Sequence, residues 1–291
     1  MASQVSNGGE PLLRPRGPDG PPVIARRIDF SQSPLAEHYS PYFAMVIDNL
    51  LTPNECAALL ASAGSDWETL NKGDSWRECE RIRPVSPGWA NALSERLALY
   101  LPEEVKSLRK GDVLSENIAG QNFLKASQGA KKTVWKLKGA NQRLSFLHYQ
   151  PGDHFQPHCD ALYSPSSGEK SFLTCQIYLS DMPEEDQGGE ASGGETRFWS
   201  SRVGKGKKKK SEDWDGETEQ EAKDDCFLDV KPKMGRALIF QQRMLWHSGQ
   251  EVKRGEKFTV RLDLMYEHHL EKPTGVSPAE LNSISKLPVF Q

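Results

Sequence analysis

The sequence predicts a mainly β protein of α+β type, a jelly roll (double-stranded β-helix) with supporting N-terminal helices. Three observations predict it. Two stretches with helical apolar spacing, 52–64 and 89–101, fall early in the chain. From Arg143 onward the apolar spacing changes to alternation, in short runs separated by turn residues. No internal repeat is present. Strands gathered after helices give segregated layers rather than an alternating parallel sheet.

Size and composition narrow the class. A chain of 291 residues has room for one large β domain or two smaller ones. With 36% hydrophobic and 26% charged residues it reads as a soluble globular protein. The formal net charge of −3 gives no ground for a nucleic-acid partner. No apolar run is long enough to span a bilayer, and residues 1–23 lack the apolar core of a secretory leader, so no membrane association is expected. The five cysteines are odd in number, widely spaced and free of any CxxC pair. That argues against disulfides or a structural zinc site and for a reducing, cytoplasmic location. Nothing in the sequence speaks to oligomeric state.

Taken in order, residues 1–40 hold GGEPLLRPRGPDGPP and read as a flexible arm. The folded domain is expected over 41–267. Residues 43–47 look like a strand. Thr52 is an N-cap, Pro53 suits the first helical position and Glu55 closes a capping box, with Leu59 and Leu60 in the buried stripe and Gly64 as the stop. A loop through 67–87 carries Trp76, Arg81 and Arg83. The second helix places Trp89, Leu93, Leu97 and Tyr100 on one side, ended by Pro102. Residues 107–140 have no clear period, and their lysines (131, 132, 136, 138) read as a solvated face.

From there the strands dominate. Arg143, Ser145, Leu147 and Tyr149 share one face of the first. In 172–179, Thr174, Gln176 and Tyr178 alternate with Leu173, Cys175, Ile177 and Leu179. The apolar set is expected between the sheets, leaving the polar set to face a pocket or solvent. Residues 193–198 read as a turn into a short strand, and 201–225 as a charged surface insertion. Strands follow at 236–241, 246–252 and 257–265, the last two joined by a hairpin turn at Gly255. Residues 268–291 form a peripheral tail.

One stretch carries chemistry. In YQPGDHFQPHCD (149–160), His158 and Asp160 are one residue apart, so an extended chain points both the same way. With a distant second histidine, His247 in WHSG, they make a set of two imidazoles and one carboxylate that suits Fe(II) with open positions. His154 and His158, four apart, would suit a helical zinc pair, but Gly152 and Pro157 make a helix unfavourable there. His38, His148, His154, His268 and His269 read as ordinary structural or surface histidines.

The joint pattern resembles the prolyl 4-hydroxylase-like branch of the Fe(II)- and 2-oxoglutarate-dependent dioxygenases. The resemblance rests on 149–160, FLTCQIYLSD (172–181), GGETRF (193–198), GRALIF (235–240) and HSGQEVKRGEK (247–257), with VIDNLLTPNEC (46–56) extending it. It implies His158, Asp160 and His247 as catalytic metal ligands, and Lys257, ten residues after His247, as the residue binding the far carboxylate of 2-oxoglutarate. Tyr149, Tyr178, Thr174 and Arg261 fall where cosubstrate contacts are expected. Arg261 offers a bidentate fork and is the alternative anchor; Arg143 is a possible substrate contact through the face it shares with Tyr149. The implied cofactors are Fe(II), 2-oxoglutarate and O2, with ascorbate as accessory reductant. The implied reaction oxidises an unactivated C–H bond of a small molecule, amino acid or prolyl residue, releasing succinate and CO2. No signal sequence or peptide-binding domain is visible in these residues, and with the insertion at 201–225 this is expected to set the chain apart from the collagen-modifying members. Competing readings are a non-catalytic jelly-roll metal- or ligand-binding module and a zinc hydrolase.

Overall fold

Two antiparallel sheets face each other across a cavity, and helices cover the outer face of the larger one. The structure is a computed structural model that describes residues 13, 20–70, 76–124, 132–166, 168–184, 191–200 and 226–271. Along the larger sheet the order is β1 (Ile24–Arg27), β2 (Ala44–Asp48), β12 (Ala237–Gln241), β9 (Glu169–Tyr178), β14 (Lys257–Glu271), β7 (Ser145–Tyr149), β4 (Cys79–Ile82) and β3 (Glu68–Leu70). A further pair, β5 (Ser107–Arg109) and β6 (Lys132–Ala140), joins through β6 onto β14. The smaller sheet runs β11 (Phe227–Val230), β10 (Thr196–Trp199), β13 (His247–Gly249) and β8 (Phe155–His158). This is the jelly roll that the alternating pattern predicts.

β14 organises the larger sheet. One edge pairs with β9 from Thr259 to Glu267; the other pairs first with β7 and then, beyond Leu264, with β6. A strand this long is buried on both edges, so its Val260, Leu262 and Leu264 face the core while Lys257, Arg261 and Asp263 face the cavity. The helices include α1 (Ala36–Tyr39), α2 (Pro53–Ala61), α3 (Pro87–Ala98), α4 (Glu103–Lys106), α5 (Val113–Ala119) and α6 (Gln121–Leu124). The capping box on α2 is present as the sequence implies: Thr52 accepts from Glu55 N, and Glu55 accepts from Thr52 N. Glu55 also takes the Arg96 guanidinium of α3 at 2.8 Å, which ties the two helices together.

Several expectations change. The apolar set of β9 does not lie between the sheets. Leu173, Cys175 and Ile177 turn outward and join Cys56 and Leu59 of α2 and Leu93 and Leu97 of α3 in the main core. The physical reason is that polar ligand-binding residues occupy the inter-sheet face, so the helices must supply the apolar cover. A second core, with Phe198, Phe240 and Leu238, closes one end of the space between the sheets.

The arm expected over 1–40 is ordered in its described part from Gly20: β1 adds to the sheet edge, and Phe30, Leu35 and Tyr39 are buried in that second core. The loop of 67–87 contains β3 and β4, and 107–140 contains β5, β6 and α5. Gly255 does not turn a hairpin. β13 and β14 belong to different sheets, so 250–256 is a crossover, packed so closely that a Cβ at Gly255 would meet Pro183 Cδ at 2.5 Å. The peripheral tail begins within β14, which runs to Glu271; residues 272–291, and the charged insertion 201–225, lie outside the described residues.

Because the helices cover the sheet, Leu93→Ala is expected to cost about 2–5 kcal/mol, while Leu99→Ala on the exposed side of the helix end stays within about 0.5 kcal/mol. Urea unfolding of both variants checks this; equal losses would contradict the packing described.

Candidate active site

His158 ends β8 and pairs directly with His247 on the adjacent β13, so their rings approach to 4.4 Å between centroids. Asp160 follows two residues later on the same side. One ligand atom from each of His158, Asp160 and His247 falls within 4.8 Å of the others. Each imidazole has its Nδ1 next to a backbone carbonyl: Gln156 O at 2.8 Å for His158 and Leu245 O at 3.1 Å for His247. A carbonyl only accepts, so Nδ1 carries the proton and Nε2 keeps its lone pair. Both Nε2 atoms lie 3.8 Å from Asp160 oxygens, one on each. Aromatic rings fix the imidazole planes: Phe155 stacks on His158 at 3.7 Å, and Phe240 meets His247 edge-on at 4.6 Å.

Asp160 is held from the opposite sheet. Thr174 Oγ1 on β9 donates to its Oδ2 at 2.6 Å, and Arg261 Nη2 on β14 lies 3.3 Å from its Oδ1. Burial raises the Asp160 pKa, but Arg261 and the imidazoles outweigh it and bring the carboxyl well below its usual range. Burial holds His158 down to about 3, assisted by His247, and lowers His247 too. Two neutral imidazoles and one carboxylate are therefore present at neutral pH, the protonation states that metal binding requires.

Behind them, Gln242 donates to Thr174 Oγ1 and to Asp263 Oδ1, and accepts from Ser171. Sequence reasoning assigned no role to Gln242, Asp263 or Ser171, though Asp263 shares a strand face with Lys257 and Arg261. A glutamine pair ending an apolar strand, IFQQ, is the signal that could have flagged the first.

The cavity measures about 480 Å³ and lies between the sheets. Lys257 lines it, 1% exposed, with its ammonium 4.2 Å over the Tyr149 ring and donating to Gly194 O at 2.9 Å. That carbonyl belongs to the GGET turn. Gly193 and Gly194 both have positive φ, and a Cβ on Gly193 would sit 2.0 Å from Glu251 O, so only glycine lets the turn come this close. Burial pulls the Lys257 pKa down to about 8, against the raising effect of Glu195. Among the described residues no carboxylate reaches ion-pairing distance of this ammonium.

Tyr149 and Thr174 line the cavity. Tyr178 is buried behind it, its hydroxyl 2.7 Å from Thr196 Oγ1, and Thr196 is the one that reaches the lining. Arg261 lines the cavity but spends its Nη2 on Asp160 and, at 3.0 Å, Asp263. Its Nε is buried without a partner among the described residues. His148 faces away, stacked on Phe258 at 4.1 Å and 2.8 Å from Glu80, and His154 does not join the cluster.

Residues 144–262 match the family model described as the 2OG-Fe(II) oxygenase superfamily, a span that includes the whole cluster and Lys257. The chain carries a 2OG-Fe(II) oxygenase domain over these residues, and the curated relatives it is similar to are probable prolyl 4-hydroxylases. It is an enzyme, a 2-oxoglutarate-dependent iron dioxygenase. Among curated relatives it is 26% identical over 262 residues to a probable prolyl 4-hydroxylase of Arabidopsis thaliana, covering 75% of this chain and 82% of that one. A second from the same plant is 27% identical over 198 residues, covering 60% of this chain and 63% of the other. Among solved structures, a Pseudomonas putida prolyl-4-hydroxylase is 12% identical with a TM-score of 0.41, covering 84% of this chain and 96% of that one. No helix among the described residues is long and apolar enough to cross a membrane.

The depressed histidines of this oxygenase domain make the metal-free protein acid-sensitive. Unfolded, a histidine takes a proton near pH 6.5; folded, His158 refuses it until about pH 3. Its contribution is therefore full above about pH 6.5 and is lost as pH falls, at about 1.4 kcal/mol per pH unit. Urea midpoints of the chelator-treated protein between pH 7 and 5 should fall more steeply than those of His158→Asn. Parallel slopes would sink this account.

Proposed function

We propose that His158, Asp160 and His247 hold Fe(II), that Lys257 binds the far carboxylate of 2-oxoglutarate, and that the enzyme oxidises an unactivated C–H bond of a small molecule, amino acid or prolyl residue. The observation that carries this reading is the buried Lys257 ammonium, which has no carboxylate partner among the described residues, lining the same cavity as a metal-competent cluster. An isolated buried charge is costly, and a ligand carboxylate removes the cost. Two aligned demands, a dication among three ligands and an anion at Lys257, fit a chelating 2-oxo acid.

The bound iron and 2-oxoglutarate supply the oxidising chemistry: with O2 and the substrate C–H they yield hydroxylated product, succinate and CO2. The chain's own residues orient and insulate. Thr174 holds Oδ2 of Asp160 and Arg261 lies against Oδ1, so the carboxylate is fixed at both oxygens beside the two imidazoles. The backbone carbonyls of Gln156 and Leu245 set the imidazole tautomers. Lys257, seated by Gly194 O and the Tyr149 face, offers a charge-assisted bond to the cosubstrate. Phe155, Phe240 and Leu147 keep water from the space above the ligands. Arg261 is less suited to the cosubstrate role than Lys257, because its Nη2 is already shared between Asp160 and Asp263. A binding module without turnover has no need of this complete set.

Three outcomes test it. Anaerobic addition of Fe(II) and 2-oxoglutarate should give a visible charge-transfer band, absent in His158→Ala; a well-folded protein without the band would refute the chelate. Thr174→Val should weaken Fe(II) binding by about 10–100-fold, read by titration, and an unchanged affinity would remove Thr174 from this role. The third concerns pH. Lys257 is cationic below about 8, so 2-oxoglutarate affinity should be constant there and weaken about tenfold per unit above it. Lys257→Ala should bind more weakly throughout and lose this dependence. A wild-type affinity flat to pH 9.5 would argue against Lys257.

A further inference from the structure

In a chain of net charge −3, the described cavity lining carries six cations, Arg77, Arg81, Arg83, Arg143, Lys257 and Arg261, against two carboxylates, Asp160 and Asp263. The oxidation chemistry uses only one of the six directly. Arg77 is engaged elsewhere, its guanidinium 4.4 Å over the Phe155 ring and its Nε 3.3 Å from Cys79 Sγ. Four guanidiniums remain, and they are arranged around one small residue.

That residue is Ser145 on β7. Arg261 is its direct cross-strand partner on β14. On the other side, Ile82 pairs with Phe146 and Val85 bridges to Arg143, a single register that sets Arg83 opposite Ser145. Arg143 precedes Ser145 by two residues on the same face, and Arg81, opposite Leu147, lies diagonally. Ser145 leaves an open floor between longer side chains, and its hydroxyl has no protein partner among the described residues. Arg81 gives its Nε and Nη2 to Glu68, and Arg83 reaches the same carboxylate only at 3.7 Å. Arg143 is exposed and forms no ion pair among the described residues, and Arg261 Nε is buried and unsatisfied. Four guanidiniums thus face three carboxylates (Glu68, Asp160, Asp263), leaving a formal surplus of one charge.

We propose that the substrate is a small organic acid whose single carboxylate docks over Ser145, between Arg83, Arg143 and Arg261. This rests on the reading of the site given above and names its substrate class. The surplus of one charge matches a carboxylate, and guanidinium forks suit its two oxygens. The site is separate from the cosubstrate anchor: Lys257 and Arg261 are four residues apart on one strand, about 13 Å. Arg83 is two strands from Arg261, about 10 Å, and Arg261 touches Asp160. An acid held there therefore reaches the metal ligands within a few bonds of its own carboxylate. A cavity of about 480 Å³ that also takes 2-oxoglutarate leaves space for such a molecule. The chemical step is the oxygenase reaction already stated, with one oxygen atom entering a C–H bond of the acid and 2-oxoglutarate consumed as reductant.

The test uses the full chain loaded anaerobically with Fe(II) and 2-oxoglutarate, with the chelate band as readout. Short carboxylic and amino acids are titrated beside their primary amides, and acidic prolyl peptides beside neutral ones. Acids should perturb the band at concentrations about tenfold below those of their amides. Arg143→Gln and Arg83→Gln should each raise the acid requirement about tenfold without affecting the amides or 2-oxoglutarate saturation. Amides as effective as acids, peptides alone perturbing the band, or no acid perturbing it would each overturn the proposal. Loss of 2-oxoglutarate saturation in Arg143→Gln would overturn it too, by assigning the arginines to the cosubstrate. Failure of the preceding reading is seen separately, as a missing band in the wild type before any acid is added.

Discussion

The clamp on Asp160 is the interaction on which the arrangement depends. Its carboxylate is where the two sheets meet: β9 and β14 reach it through Thr174 and Arg261, while β8 and β13 bring the two imidazoles to it. A buried carboxylate with fewer partners would take up a proton. Here the partners keep it ionised, so the same contacts that join the layers also prepare a ligand. Gln242 extends the clamp to Asp263 and Ser171, so each atom that touches Asp160 is itself held.

Charge is distributed along β14 with a division of labour. At one end Lys257 stands without a counterion among the described residues in a nearly dry position, a liability to folding that a bound anion relieves. Four residues on, Arg261 is saturated by aspartates on one side and faces an arginine-lined floor on the other. A lysine and an arginine on one strand thus serve different purposes because one has been neutralised by its neighbours and the other has not.

The sequence revealed those parts of the fold whose burial is one-sided. Thr52, Pro53 and Glu55 announced a helix because capping is local, and β9 announced itself through Leu173, Cys175 and Ile177. β4 was illegible because its cavity-facing position is Arg81, so functional charge stands where an apolar residue would have marked a strand. The direction of the β9 apolar face was misread for a related reason: period two tells which residues share a face but not what covers it. His158, Asp160 and His247 were legible as a set because two of them are one residue apart. Gln242 and Ser145 were not, since a buried amide and a bare floor between arginines gain meaning only from register.

The path of β14 also bears on how the molecule assembles. This strand pairs with β6, β7 and β9, and β2 waits for β12 some 190 residues later. Few of these pairings are local, so the search for them is slow and the partly made sheet has open edges. On a ribosome, β9 (169–178) emerges with both of its strand partners, β12 and β14, still unsynthesised. The larger sheet cannot close until 257–271 has left the exit tunnel, which makes this interval the time when the chain has most need of a chaperone.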